Sequence, residues 1–396
     1  MTFPDRLEVP REVLEIARVL EEAGHEAWCV GGALRDTLLG DPHSDFDLAT
    51  SARPEDVQRL FRRTAAIGVE HGTVGVIDRT RVLHEVTTFR RDVATDGRHA
   101  VVEYGASLEE DLARRDFTIN AIAYRPLNGE WRDPHGGQRD LESGVVRAVG
   151  DPAARFREDY LRILRAIRFA ARFGFAIDPA TWQAARAAAD GLGRLSAERV
   201  RDEWFKCLGS ARDLKTLVRL WRESGAAAVW LRGLHHEAEG VVPPAERSPP
   251  PRDPVLLTAL LSDDPGDLLR RLRASNAEIA RAEAVARGPA EPAAADEISV
   301  RRWLATVGSA ADDLVALVRL GGRAESAPWI GAAAKIRERG DPLTRGDLAV
   351  TGRDLEALGL SGKRIGETLA VLLDRVLQDP SANTRERLLA IAREDR

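Results

Sequence analysis

Two cysteines in 396 residues, Cys29 and Cys207, are too few and too far apart for a disulfide framework or a zinc ribbon. Such scarcity fits a reducing compartment. No apolar run approaches the ~18 residues that a membrane-spanning helix needs. Basic residues number 58 against 63 acidic ones, a net charge of −5. The chain therefore lacks the basic excess common in nucleic-acid binders, although a local basic stripe is enough to bind one. A Gly-X-Y period is absent, which excludes a collagen, and there is no internal repeat or sustained heptad. The first residues, MTFPDRLEVPREVLEIARVLEEAG, read as an amphipathic helix with acids rather than a signal peptide. A cytoplasmic protein with no membrane segment is expected.

Apolar residues make up 44% of the chain and charged residues 31%, an ordinary globular composition. At ~150 residues per domain the length suggests two to three domains, with a core that needs no staples. Arginine outnumbers lysine everywhere, so arginine counts alone carry little weight.

Period and punctuation divide the chain near residue 150. Before it, helices are expected at 11–24, 33–39, 53–63 and 108–114. Strands are expected at 28–30, 45–49, 72–77, 82–88 and 101–104. Residues 90–100 are polar and glycine-containing, which suggests a mobile loop. This is a mixed α/β segment. After residue 150 only helices are expected: 159–173, 179–190, 196–208, 214–224, 255–261, 265–282 and most of 297–396. Prolines at 243, 244, 249, 250, 251 and 254, and a Pro/Ala-rich stretch at 288–296, break them.

The strongest chemical signal is GGALRD at 31–36 followed by Asp45-Phe46-Asp47. Residues two apart in a strand face the same way, so Asp45 and Asp47 present paired carboxylates. Mg2+ takes oxygen ligands of this kind together with substrate phosphates. Gly31 and Gly32 let a phosphate chain approach backbone N–H groups, and Arg35 would neutralise it. An isolated Asp-x-Asp is usually chance; the upstream glycine pair reverses that judgement. Glu85, in HEVTTFR, is either a third carboxylate of a two-metal site or a strand-end glutamate facing water. Arg115 and Asp116, in RRDFTIN at 114–120, either bind ribose and phosphate or close a helix with a salt bridge. In RFREDYLRILRAIRFAARFGF at 155–175, Glu158, Asp159 and Arg162 offer acceptors and donors together, the mixture a nucleobase edge requires. Arg165, Arg168 and Arg172 continue that face and would take phosphates.

Together these stretches resemble the class II tRNA nucleotidyltransferases, the CCA-adding enzymes, and their bacterial poly(A) polymerase relatives. The matching runs include CVGGALRDTLLGDPHSDFDLAT, HEVTTFRRDVATDGRHAVVEY, DLARRDFTINAIAY and SAERVRDEW, spread over residues 28–204. The resemblance implies an α+β chain: a polymerase-β-like nucleotidyltransferase head (1–142), then an all-α neck (143–212), body (213–296) and tail (297–396). It implies Mg2+ on Asp45 and Asp47, with Glu85 as the third catalytic carboxylate. It assigns Gly31, Gly32, Arg35, Asp36, Arg115, Asp116 and Asn120 to the sugar and phosphates of the nucleotide. Glu158, Asp159 and Arg162 match the family's base-templating motif, with Arg165 and Arg168 in support. Asp133, Gly136, Gly137, Asp140 and Leu141 match the head–neck hinge, and Ser196 to Glu203 a segment bracing the neck. The implied substrates are CTP, ATP and the tRNA acceptor end; no protein partner is inferable.

Close relatives separate on local features. CC-adding members lack a loop after the EVTTFR strand, and this chain keeps RDVATDGRHA at 91–100. A-only addition stays open. The basic signature of poly(A) polymerases is missing from RRTAAIGVEHGTVGV, and an idle RNA-binding module is disfavoured by the complete set of carboxylates. His235, His236, Asp263 and Asp264 contain no His-Asp dipeptide, so no phosphohydrolase site is expected. Lys206, Arg219, Arg222, Lys363 and Arg364 are expected to lie on a basic track for tRNA. Gly362 either exposes backbone N–H groups to a phosphate or simply turns the chain between helices.

Overall fold

A computed structural model describes residues 2–41, 46–68, 72–95, 100–235, 252–320 and 327–394; for 92–95 and 100–102 it describes the backbone alone. The chain divides into two compact units. One holds residues 1–232 with 248–251, the other 233–247 with 252–396.

The first unit opens with α1 (Arg11–Glu22), whose Val13, Ile16, Ala17 and Leu20 recur at helical spacing and are buried. β1 (Ala27–Val30) is buried at every position, and the glycine pair turns it into α2 (Gly32–Leu38). Then come β2 (Asp47–Thr50), α3 (Pro54–Leu60), β3 (Thr64–Gly68), β4 (Thr73–Ile77), β5 (Leu83–Thr88), β6 (Arg90–Thr95), β7 (Ala100–Tyr104) and α4 (Leu108–Ala113). β8 (Ala123–Arg125) and β9 (Glu130–Arg132) complete the strand-rich part. Seven strands form one mixed sheet in the order β3-β4-β5-β2-β1-β8-β9. β2 and β5 run parallel, with Leu48 beside Val86. One face is covered by a cluster that includes Trp28, Val30, Ala49, Phe89, Leu108, Leu112, Ala121 and Ala123.

Several local expectations change. The expected loop at 90–100 is instead a hairpin: β6 pairs with β7 as a separate two-stranded sheet, while 96–99 lie outside the described residues. The helix expected over 53–63 stops at Leu60, because Phe61 is already extended at φ −111°, and the chain enters the edge strand β3. β3, β8 and β9 were not expected; each is short and carries little apolar/polar alternation.

A further change concerns the neck. α5 (Gly137–Ser143), β10 (Val145–Val146), α6 (Pro152–Glu158), α7 (Leu161–Phe173), β11 (Ala176–Ile177), α8 (Pro179–Ala187), α9 (Ala197–Ser210), α10 (Leu214–Glu223) and α11 (Ala226–Trp230) follow. One continuous helix from Asp159 was expected. Asp159 instead has φ −155° and ends α6, and its Oδ1 accepts the Leu161 N–H at 3.0 Å. A short acid that caps the next turn competes with helix continuation. The Tyr160 ring occupies the space beside Gly191, where a Cβ would collide with it.

The second unit is helical: α12 (Pro254–Leu261), α13 (Pro265–Arg271), α14 (Asn276–Arg287), α15 (Glu297–Val307), α16 (Ala311–Leu320), α17 (Trp329–Glu338), α18 (Gly352–Ala357), α19 (Lys363–Gln378) and α20 (Arg385–Glu394). The helix expected over 265–282 is two. Arg273 sits at φ +52°, and Ser275 with Glu278 forms a capping box that starts α14. Trp303 and Trp329 meet edge to face in one core, and Leu355, Leu372, Val376 and Leu388 build another. Gly362, at φ +55°, turns the chain into α19. His235 faces Asp263 at 2.8 Å; His236 lies outside the described residues. No described helix is long and apolar enough to cross a membrane.

Candidate active site

The site is built where β1 ends and β2 begins, beside β5. Gly31 has φ +82°, a conformation that favours glycine. A Cβ there would stand 3.2 Å from Asp47 Oδ2 and 3.7 Å from Arg115 Nη1, so glycine also makes room for the carboxylate. Leu48 and Val86 are in register and fully buried. Asp47 and Glu85, each one residue earlier, therefore project together from the opposite face. Both line a cleft of about 650 Å3. Asp45 lies outside the described residues.

The described lining holds eight arginines against four carboxylates, with no histidine and no cysteine. Oxygen donors alone, set in a strongly positive surround, suit a hard divalent cation bearing phosphates rather than zinc. Among the described residues no three potential ligands converge on one point. Asp47 and Glu85 fit as two of the donors. Cys29 and Cys207 are buried, and burial pushes both thiols up, Cys207 to about 12. Neither is a nucleophile.

Behind the cleft runs a chain of alternating charge. Ser107 caps α4 with a reciprocal box. Asp111, in its first turn, accepts from Arg114 at 2.7 Å and Arg115 at 3.1 Å. Arg115 donates on to the Asn120 carbonyl, and its buried Nε has no partner. Asp116 accepts from Asn120 at 2.9 Å and from Arg165 at 2.7 Å. Burial alone would push the Asp116 carboxyl up; the Arg165 charge and these bonds outweigh it and hold it at about 2. Asn120 also accepts from Arg35 at 2.6 Å. Arg35 donates to Asp36 at 2.7 Å, and Asp36 takes Arg172 at 2.9 Å.

Arg35 was expected to meet the triphosphate. The structure places it at the cleft wall, 3% exposed, over Phe169 and Phe173. Its donors go to Asp36 and Asn120, which ties α2 to the turn at 118–120, while its guanidinium packs on two rings of the neck.

α7 presents the base-reading candidates. Its buried side holds Ile163, Leu164, Ile167 and Ala171, which leaves Arg162, Arg165 and Arg168 toward the cleft. Arg162 donates to Glu158 at 2.6 Å and to the carbonyls of Arg155 and Arg114, both at 3.2 Å. Arg168 donates to Glu203 at 2.7 Å. Asp159 accepts from Arg199 at 2.7 Å. Arg199 lines the cleft although sequence reading left it out of the site. Its signal was the Arg199/Glu203 spacing on α9, which puts both on one face toward α7. Arg90, Thr73 and Thr87 were likewise missed.

Residues 27–147 match the family model for a poly A polymerase head domain, and 174–237 that for a probable RNA- and SrmB-binding site of polymerase A. A CCA-adding enzyme of Bacillus subtilis is 42% identical over 244 residues, 59% of each chain. The chain spans between half and three-fifths of the first curated relatives it matches. A CCA-adding enzyme of Geobacillus stearothermophilus is 36% identical over 96% of both chains. The crystal structure of the Bacillus stearothermophilus CCA-adding enzyme in complex with CTP superposes with a TM-score of 0.76 at 33% identity, covering 97% of each chain. With a matching head, a matching helical remainder and identity along nearly its whole length, the chain belongs to the CCA-adding enzyme family.

Proposed function

We propose that this chain adds CCA to tRNA 3′ ends, using CTP and ATP and releasing pyrophosphate. The observation that carries it is the pair Asp47 and Glu85, side by side on one sheet face, opening into an arginine-lined cleft that also holds Asp159 and Arg162. Asp45, Asp47 and Glu85 would hold Mg2+, which when bound lowers the charge cost of bringing a hydroxyl and a triphosphate together.

The chain's own groups do the rest. Gly31 keeps the approach to Asp47 open. Arg115, Arg165 and Arg168 face the phosphates, where fixed cations stabilise the charge gathered on leaving pyrophosphate. The tRNA 3′-hydroxyl attacks the α-phosphate, and the bond to pyrophosphate breaks. Asp159 and Arg162 read the Watson–Crick edge of the base, with Glu158 orienting Arg162. Arg199 and Glu203 hold Asp159 and Arg168 from α9. A wrong base leaves these groups unpaired. Gly32, Asp36, Asn120 and Arg35 support this arrangement from behind.

We divide the chain into a catalytic head (1–142), a neck (143–212), a body (213–296) and a tail (297–396), the last two serving the tRNA acceptor end. The expected compartment is the cytoplasm. The test is addition of CTP and ATP, singly and together, to tRNA transcripts truncated before CCA, after C and after CC. Two C on the shortest and one A on the longest is the expected result. Addition confined to the CC-ended transcript makes the chain an A-adding specialist. Long A tails make it a poly(A) polymerase.

A further inference from the structure

Across the site face the strands run β1, β2, β5, β4, β3. The glycine turn stands at the end of β1, Asp47 on β2 and Glu85 on β5. Gly75 of β4 lies opposite Glu85, and Ile77 opposite Leu83, two residues along. On β3 the register slips between Ala66 and Gly68, which makes Ile67 an extra residue. A bulge of this kind re-aims a side chain. Ile67 and Leu83 converge over Gly75: a Cβ there would lie 2.5 Å from Ile67 Cδ1 and 3.0 Å from Leu83 Cδ1. Gly75 is buried beneath them, yet Ile67 remains 45% exposed and Leu83 38%. The result is an apolar shelf that continues the charged cleft.

Its position has a chemical meaning. In-line displacement at phosphorus puts the attacking oxygen opposite the leaving group. With pyrophosphate on the glycine and arginine side, the hydroxyl must reach the carboxylates from the β5–β4 side. Neighbouring strands are about 4.8 Å apart, so the shelf begins roughly 5–10 Å beyond Glu85, the reach of one nucleoside. An unpaired nucleobase packs its face against aromatic or apolar side chains.

We infer that Ile67 and Leu83 form a shelf that seats the 3′-terminal nucleoside of the tRNA acceptor strand and aims its hydroxyl at the α-phosphate. The inference rests on the nucleotidyl-transfer function proposed above. Ile67 and Leu83 act as positioning residues, and Gly75 sets their height.

The test is an I67S/L83S variant of the full chain, with I67L/L83M as the conservative control. Both side chains are exposed, so melting temperature is expected to hold. The tRNA KM is expected to rise at least tenfold while the CTP KM stays within twofold, and I67L/L83M restores the tRNA KM. A tRNA bearing 5-iodocytidine at its 3′ end is expected to crosslink to the peptide spanning 64–88, and not in I67S/L83S. An unchanged tRNA KM, or crosslinks only to other peptides, overturns the shelf. A concentration-dependent dimer that I67S/L83S abolishes, with tRNA KM unchanged, overturns it in favour of a second copy of the chain. Failure of the unaltered chain to add any nucleotide is the separate failure of the nucleotidyl-transfer function; the crosslink still decides the shelf.

Discussion

Arg165 Nε donates to Asp116 Oδ2 across 2.7 Å, joining two residues 49 apart in the chain. Asp116 follows the α4 turn of the head, and Arg165 stands in the middle of α7. The carboxylate also accepts from its own Phe117 N–H and from Asn120. This pair makes one wall of the cleft from two parts of the first unit.

The pair predicts an acid-sensitive cleft. The Asp116 carboxyl falls from its ordinary 3.8 to about 2 in the folded chain. A depressed folded value means that the stabilisation is fully present above about pH 4 and is lost as pH falls through about 2. A displacement of that size corresponds to roughly 2–3 kcal/mol. Unfolding of Asp116→Asn, followed by circular dichroism, is expected to start lower at pH 7 and to lack that part of the acid loss. An acid profile parallel to that of the unaltered chain contradicts this.

Asp47→Ala is expected to abolish nucleotide addition, by roughly 10²–10³-fold or more, with the fold intact. Asp47 lies at the open end of β2, not in its buried run. Labelled CMP incorporation and a melting curve on the same sample check both halves.

Arg162→Ala is expected to loosen base choice more than it slows addition. One well-made pair of hydrogen bonds is worth ~1–3 kcal/mol of discrimination. The readout is the ratio of kcat/KM for CTP to that for GTP. An unchanged ratio assigns Arg162 to bracing Glu158 and the Arg114 carbonyl instead.

In the second unit, Arg301 is 5% exposed and donates to the Leu377 carbonyl at 2.7 Å, to Glu297 at 3.1 Å and to Asp341 at 3.2 Å. Arg301→Ala leaves buried acceptors short of a donor, and a cost of about 3–5 kcal/mol is expected. Arg301→Met keeps the aliphatic packing but loses the same bonds. A drop in melting temperature for both variants checks it; an unchanged melting curve removes the bracing role.

Local pattern made the helices of α1, α9 and α10 legible, because each repeats apolar residues at 3.6-residue spacing against a buried face. Short spacing made the Gly31–Gly32 turn and Asp47 stand out as candidates, whereas Glu85 came in only through the family resemblance. Partners distant in the chain were not legible in that way. Nothing near Arg35 announces Asn120, and nothing near Asp159 announces Arg199.

The sequence by itself thus determined which segments are apolar, where glycine and capping residues stop them, and which carboxylates and arginines are candidates for the site. Only the tertiary structure decided that Asp159 leaves the helix, that Arg35 is held at the cleft wall by Asp36 and Asn120, and that Ile67 and Leu83 meet over Gly75 beside Glu85. The physical reason is that helix and turn signals act over about four residues. Strand pairing, ion-pair choice and bulge register depend instead on groups brought together from far along the chain.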